Sequence, residues 1–135
     1  MNKQHQIVKG YLDAVSKMDF DNLMKLCTPH AKIHSPHFGT LEISVHYQKL
    51  FASAKSVKMR LKDTFVGTEN KDAVIGDYVS NWTMKDGQST GELELLCLFA
   101  LSPDGKIAEV KMYYNSPHAQ EAFNLSHQPM RRTGT

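Results

Sequence analysis

The apolar pattern of this chain changes period once, near Lys55, and that change limits the architectures open to it. Before Lys55, apolar residues recur every three or four positions. Ile7, Val8, Tyr11, Leu12, Val15 and Met18 form one stripe, and Ile43, Tyr47, Leu50, Phe51 and Ala54 form another. Side chains at that spacing share one face of an α-helix. After Lys55, Val57, Met59 and Leu61 alternate with Lys58, Arg60 and Lys62, which is the period of a half-buried strand. Three more long strands are predicted, Ala73 to Met84, Glu92 to Leu101 and Lys106 to Tyr114. Short turns separate them: Glu69-Asn70-Lys71-Asp72, Lys85-Asp86-Gly87-Gln88 and Ser102-Pro103-Asp104-Gly105. In the last two a glycine supplies the positive φ that tight turns need. Consecutive strands joined by hairpins make an antiparallel meander, and the helices that precede it must cover one of its faces.

The remaining elements are short. Asp19 or Asp21 caps a second helix carrying Leu23, Met24, Leu26 and Cys27, and Pro29 is expected to end it. Ala31 to Ser35 reads as a short strand stopped by Pro36, and a third helix runs from about Leu41 to Ala54. Pro117 opens a terminal helix ending near Leu125. Residues 1–125 therefore read as one domain, and 126–135, which lack an apolar pattern, as a flexible tail. The expected fold is α+β: a curved antiparallel sheet wrapped around helices to form a cone with one apolar pocket, the site where this architecture holds ligands.

A chain of 135 residues can bury a core without staples. With 41% apolar residues and a net charge of +2 it has the composition of a globular protein rather than a disordered one. Its basic residues are scattered, and Lys55, Lys58, Arg60 and Lys62 read as a solvated strand face, so nucleic-acid binding is not expected. The N-terminus lacks an apolar signal region, and no run is long enough to span a membrane. The two cysteines, Cys27 and Cys97, sit among leucines and read as buried free thiols. These features together point to a cytoplasmic protein. The spacing of His30, His34 and His37 would suit a helix, but Pro29 and Pro36 bracket a strand and a turn and no carboxylates lie beside them, so no metal site is expected, and no phosphate-binding or dinucleotide motif calls for a cofactor.

Three segments, in order, carry a family resemblance: Tyr11-Leu12-Asp13-Ala14-Val15 with Met18-Asp19-Phe20-Asp21-Asn22-Leu23, then Ala31-Lys32-Ile33-His34-Ser35-Pro36, then Gly105-Lys106-Ile107-Ala108-Glu109-Val110. Across residues 5–124 the chain resembles the SnoaL-like and ketosteroid-isomerase-like branch of the nuclear-transport-factor-2-like superfamily. The resemblance implies the cone fold and a homodimer formed through the outer sheet face. It also places Tyr11 where the steroid isomerases carry a hydrogen-bonding tyrosine. Their aspartate base falls on Ser35 and their neutral aspartic acid on Cys97. The aspartate that cyclase-like members carry late in the last strand falls on Asn115. Serine and asparagine cannot replace a carboxylate base, and a thiol is a poor donor, so steroid isomerase activity is not expected.

His34 is the candidate acid/base, because its unperturbed pKa suits proton transfer at neutral pH. Adjacent strand residues face opposite sides, so His34 and Ser35 cannot both point into the cavity. Tyr11 is the candidate donor to a substrate oxygen. Strand parity assigns Ala108, Val110, Met112 and Tyr114 to the cavity face of the last strand, and Ile107, Glu109, Lys111 and Tyr113 to the outer face. The expected ligand pocket comprises Tyr11, Val15, His34, Phe51, Tyr78, Trp82, Leu95, Cys97, Phe99, Val110, Met112 and Tyr114, with Ser80 and Leu93 on the same inner face. The functional expectation is binding of a small apolar, ring-containing molecule, with isomerase, dehydratase or cyclase chemistry if the chain is an enzyme. The alternative is a non-catalytic dimeric interaction or assembly module that uses the outer sheet face.

Overall fold

The computed structural model describes residues 2–127, with side chains through residue 124. Four helices and six strands follow in chain order: α1 (Lys3–Ser16), α2 (Phe20–Lys25), β1 (Cys27–Ser35), β2 (Gly39–Glu42), α3 (Ile43–Ser53), β3 (Ala54–Val66), β4 (Ala73–Met84), β5 (Leu93–Leu101), β6 (Ile107–Tyr113) and α4 (Pro117–His127). The strands form one curved, unclosed sheet in the order β2-β1-β6-β5-β4-β3. The expected meander is β3 to β6, antiparallel throughout. β1 joins its far side parallel to β6, and β2 pairs back on β1. This is the α+β cone that the periodicity change predicts.

Local chemistry sets most of the boundaries. The Asn2 side chain accepts from the His5 N–H at 3.0 Å and caps α1. Asp19 accepts from the Asn22 N–H at 3.2 Å and caps α2. Between these helices Met18 adopts φ 51°, so it belongs to the reversal and not to α1. Gly87, at φ 91°, makes the β4–β5 turn. Pro29 does not end α2. The helix stops at Lys25, and Pro29 lies inside β1 where the register against β6 slips, the kind of irregular position that tolerates a residue with no N–H. β1 is accordingly longer than expected. The chain around residues 39–42 is strand rather than helix, and α3 begins at Ile43.

Two of the register slips in the meander move a side chain off the face that alternation gives it. In β3 the register slips between Leu61 and Asp63, which turns Phe65 to the outer face, 53% exposed. A slip between Ala100 and Leu101 of β5 brings Ile107 inward, fully buried, where parity had placed it outside. α1 lies across the concave face, with Val8, Tyr11, Leu12 and Val15 buried against it. It approaches closely because β4 carries Gly76 beneath it: a Cβ there would sit 3.0 Å from Val8 Cγ1 and 3.3 Å from Phe99 Cε1. The core fills the space between this face and the helices. Ile43, Tyr47 and Leu50 of α3 close its other end. No described helix is long and apolar enough to cross a membrane.

Candidate functional site

One apolar cavity lies toward the α3–α4 end of the cone. β4 supplies Tyr78, Ser80 and Trp82, and β5 supplies Leu93 and Leu95. Met59 comes from β3, and Met112 and Tyr114 come from the end of β6. Ser35 at the end of β1 and Phe38 in the turn after it complete the sheet side, while His46 and Leu50 of α3 and Phe123 of α4 cover it. The free cavity is ≈ 20 Å³, and the space between the lining atoms, open mouth included, is ≈ 350 Å³. The smaller figure measures what is empty, room for about one water. A larger guest therefore requires lining side chains to move.

The rim of the cavity is aromatic. Phe38 lies 5.9 Å from Phe123 and 5.1 Å from His46, ring centre to ring centre, and Phe123 lies 6.5 Å from Trp82. Phe51, expected in the lining, instead stacks behind Trp82 at 6.5 Å. Met59 and Met112 are unbranched thioethers, able to change rotamer where a branched side chain could not. The cavity wall thus combines rigid rings with adaptable sulfur side chains.

His34 does not face this cavity. Its ring lies on the other side of β1, where Nε2 is 2.5 Å from Glu109 Oε2 and Nδ1 is 2.8 Å from Thr40 Oγ1. The reason is strand alternation: Ala31, Ile33 and Ser35 are buried at alternate positions at the end of β1, so His34 points away. It is the small hydroxyl of Ser35 that reaches the cavity. Ser35 Oγ accepts from the backbone N–H groups of His37 and Phe38 at 3.2 and 3.3 Å. Burial raises the Tyr114 phenol above its ordinary value, and the nearby Ser35 side chain partly offsets that rise.

Tyr11 is also displaced from its expected role. It is buried beneath the cavity, not in its wall, and its hydroxyl shares a 2.5 Å hydrogen bond with Tyr47. Burial first, then the neighbouring Tyr47 and Tyr78 oxygens, push its pKa well above 10. Val15, Cys97, Phe99 and Val110 are likewise fully buried in the core, outside the cavity lining. Cys97 lies against the Tyr78 hydroxyl at 3.1 Å, and burial pushes its thiol up to about 12. Cys27 is pushed up to about 11, again mainly by burial, and both thiols are free. Of the expected pocket residues, Tyr78, Trp82, Leu95, Met112 and Tyr114 are the ones the structure brings together at the cavity.

The outer sheet face carries apolar residues among charges. Leu96 and Tyr113 pair across β5 and β6, 47% and 58% exposed, and Phe65 lies further along the sheet. Lys62 sits 3.7 Å from Glu94 on the same face. Among the described residues no group of three or more His, Cys, Asp or Glu is placed to hold a metal ion.

No known family's sequence pattern matches the chain, and neither does any curated protein sequence. Similarity appears in the fold. SalBIII, an epoxide hydrolase/cyclase-like enzyme of pyran ring formation in the polyether salinomycin, is 18% identical with a TM-score of 0.72, over 84% of this chain and 91% of that one. TerC, crystallised with polyporic acid, is 11% identical with a TM-score of 0.72, over 90% and 98%. A nuclear-transport-factor-2-like protein of unknown function from Burkholderia pseudomallei is 12% identical with a TM-score of 0.73, over 95% and 100%. SnoaL-like and ketosteroid-isomerase-like proteins share the same architecture. At these identities the likeness is one of fold. On the shared sheet, helices and coverage, the chain has the SnoaL-like, ketosteroid-isomerase-like fold of the nuclear-transport-factor-2-like superfamily.

Proposed function

We propose that this protein binds a small, ring-containing apolar molecule in the cavity between α3, α4 and the concave sheet. The observation that carries this reading is the lining itself: Phe38, Trp82 and Phe123 beside leucine and methionine side chains, with polar atoms of Ser35, His46, Tyr78, Ser80 and Tyr114 among them. Flat rings favour offset or edge contacts with such walls. Ligand sites are commonly apolar with a small number of placed polar atoms. The free volume of ≈ 20 Å³ requires the guest to displace Met59, Met112, Phe38 or Phe123 as it enters. TerC, with the same fold, was crystallised with polyporic acid, and SalBIII acts in pyran ring formation, which supports a ring-bearing ligand here. If the chain is catalytic, isomerase, dehydratase or cyclase chemistry fits this pocket, with no metal required. The two buried free thiols support a reducing, cytoplasmic setting.

The test is thermal unfolding against a panel of small ring compounds. A ligand at about a hundred times its dissociation constant stabilises the fold by about 2.7 kcal/mol. A clear rise in Tm with one class supports the reading, and a Tm unmoved by every class counts against it. A second reading, a homodimer or assembly module, is favoured by exposed Leu96, Tyr113 and Phe65 on the outer sheet face. It predicts a dimer by sedimentation that Tyr113→Glu dissociates. A monomer at all protein concentrations would dismiss it.

A further inference from the structure

A ring-sized guest can enter this cavity only where the fold gives way. Benzene needs an apolar cavity of about 150 Å³, several times the ≈ 20 Å³ that is free. Most of the lining cannot supply that space. Tyr78, Ser80, Trp82, Leu93 and Leu95 stand on β4 and β5, paired strands at the centre of the meander. Leu50 stands on α3, whose Ile43 and Tyr47 are locked in the core. Phe38 is held by its backbone, since the N–H groups of His37 and Phe38 donate to Ser35 Oγ at 3.2 and 3.3 Å. Met59 and Met112 can change rotamer, but the pairing of β3 and β6 keeps each Cβ in place.

Phe123 is placed differently. It covers the cavity from α4 and is 4% exposed. No described strand follows α4, so no sheet pairing depends on its position. Among its described side chains the buried ones are Ala119, Ala122 and Phe123, one face of the helix, and of these Phe123 alone is large. The helix also carries its own N-cap. Ser116 Oγ accepts from the Ala119 N–H at 3.1 Å, and the Ser116 carbonyl accepts from the Gln120 N–H at 3.0 Å. Residues 115 and 116, outside any strand, form the pivot on which α4 can turn as a unit. The Phe123 ring sits 5.8 Å from His37, 5.9 Å from Phe38 and 6.5 Å from Trp82, tilted or edge-on to each. An aromatic ligand would make the same contacts with these walls.

We infer that the seat of Phe123 is the ring subsite of this cavity: its side chain stands in for one six-membered aromatic ring, and α4 swings out to exchange its own ring for that of a ligand. This rests on the small-molecule reading above and adds where the ring binds and what it displaces. The empty protein is self-closed. Wild type therefore binds with the affinity of the open conformer, reduced by the fraction of molecules that are open. Minor conformers are commonly populated at about 0.1–10%. Removing the Phe123 ring removes that reduction.

The probe is benzene, titrated calorimetrically into wild type and Phe123→Ala, with amide hydrogen exchange of wild type followed in its presence and absence. An open fraction of about 10% or less lowers apparent affinity about tenfold or more, so Phe123→Ala should bind benzene tighter by at least that factor. In wild type saturated with benzene, the amides of residues 118–124 should lose protection, because a helix of 11 residues is marginal in water once undocked. Those of β4 and β5 should keep theirs. The exchange readout needs no variant and separates a displaced plug from a fixed wall. A wall predicts the reverse: α4 protection that holds or rises on binding, and a variant that binds no more tightly. Either result overturns the inference, while benzene binding to wild type upholds the cavity reading. Benzene bound by the variant alone also overturns it, because α4 then does not open to admit a ring. If benzene binds neither protein the inference falls as well, and the panel of ring compounds decides the cavity reading separately.

Discussion

Gly76→Ala should destabilise the protein, although alanine is the better strand residue. Replacing a strand glycine by alanine ordinarily gains about 0.5–1 kcal/mol of conformational entropy. Against this stands contact. The new Cβ would lie 3.0 Å from Val8 Cγ1 and 3.3 Å from Phe99 Cε1. Both neighbours are fully buried. Val8 is β-branched on a helix and has one strongly favoured rotamer, and Phe99 is held edge-on against Tyr11 at 5.1 Å. Neither can swing aside, so α1 has to lift. Overpacking of this kind costs about 1–3 kcal/mol, and the net loss should be about 0.5–2 kcal/mol. For a domain of this size about 1 kcal/mol corresponds to about 4 °C, so circular dichroism melts should show a fall of about 2–8 °C. Val8→Ala alone leaves a void. Combined with Gly76→Ala the added methyl partly fills it, so the double variant should be more stable than the sum of the singles by about 1 kcal/mol. A Tm that rises in Gly76→Ala, or strict additivity in the double variant, refutes the argument.

Tyr11→Phe should cost about 1–3 kcal/mol in denaturant unfolding, because it strips the buried Tyr47 hydroxyl of its 2.5 Å partner. Tyr11→Phe with Tyr47→Phe should cost less than that single change, since neither hydroxyl is then stranded. Cys27 and Cys97 are buried neutral with pKa values raised to about 11 and about 12. Their contribution to stability is complete below the unfolded thiol pKa of about 8.5 and is lost as pH climbs through the raised values. Replacing both by alanine should therefore flatten the alkaline decline in Tm between about pH 8.5 and 12, and an unchanged slope there would remove the thiols from the account. His34→Ala should leave any ligand-induced rise in Tm intact, because the ring is on the face opposite the cavity. A ligand response that vanishes in this variant would contradict the geometry. Asp19→Ala should lower stability by about 1 kcal/mol through loss of the α2 cap, read by the same melts.

The meander was legible because period-2 alternation reports which face a residue occupies, and β4, β5 and most of β6 keep it. Alternation does not report position along the strand. Cys97 and Phe99 share an inner face with Leu95, yet they lie deeper, where α1 covers the sheet, while Leu95 reaches the cavity. Bulges were invisible for a different reason: a single slipped residue leaves no compositional mark, so Ile107 and Phe65 exchanged the faces that parity gives them. Two cavity-lining residues had a readable signal. His46 lies three residues after Ile43 and four before Leu50, on the α3 stripe. Ser35 follows Ala31 and Ile33 at alternate positions of β1, which already turns His34 outward. A titratable side chain drew attention to His34, where periodicity favoured its neighbour.

The parallel pairing of β1 with β6 bears on the order in which the molecule can be made. β3 to β6 are neighbours in sequence and close by short turns, whereas Ile33 must find Val110 across most of the chain. Long-range closures of this kind form slowly, because loop entropy is lost before any contact rewards it. Ser35 and Phe38 stand at the end of β1 and just beyond it, and Tyr114 stands just past β6. The cavity therefore cannot exist until that last seam is sewn. In pulse-labelling hydrogen exchange, amides of β4 and β5 should gain protection before those of β1. A chain released before this step would carry a nearly complete sheet and no cavity.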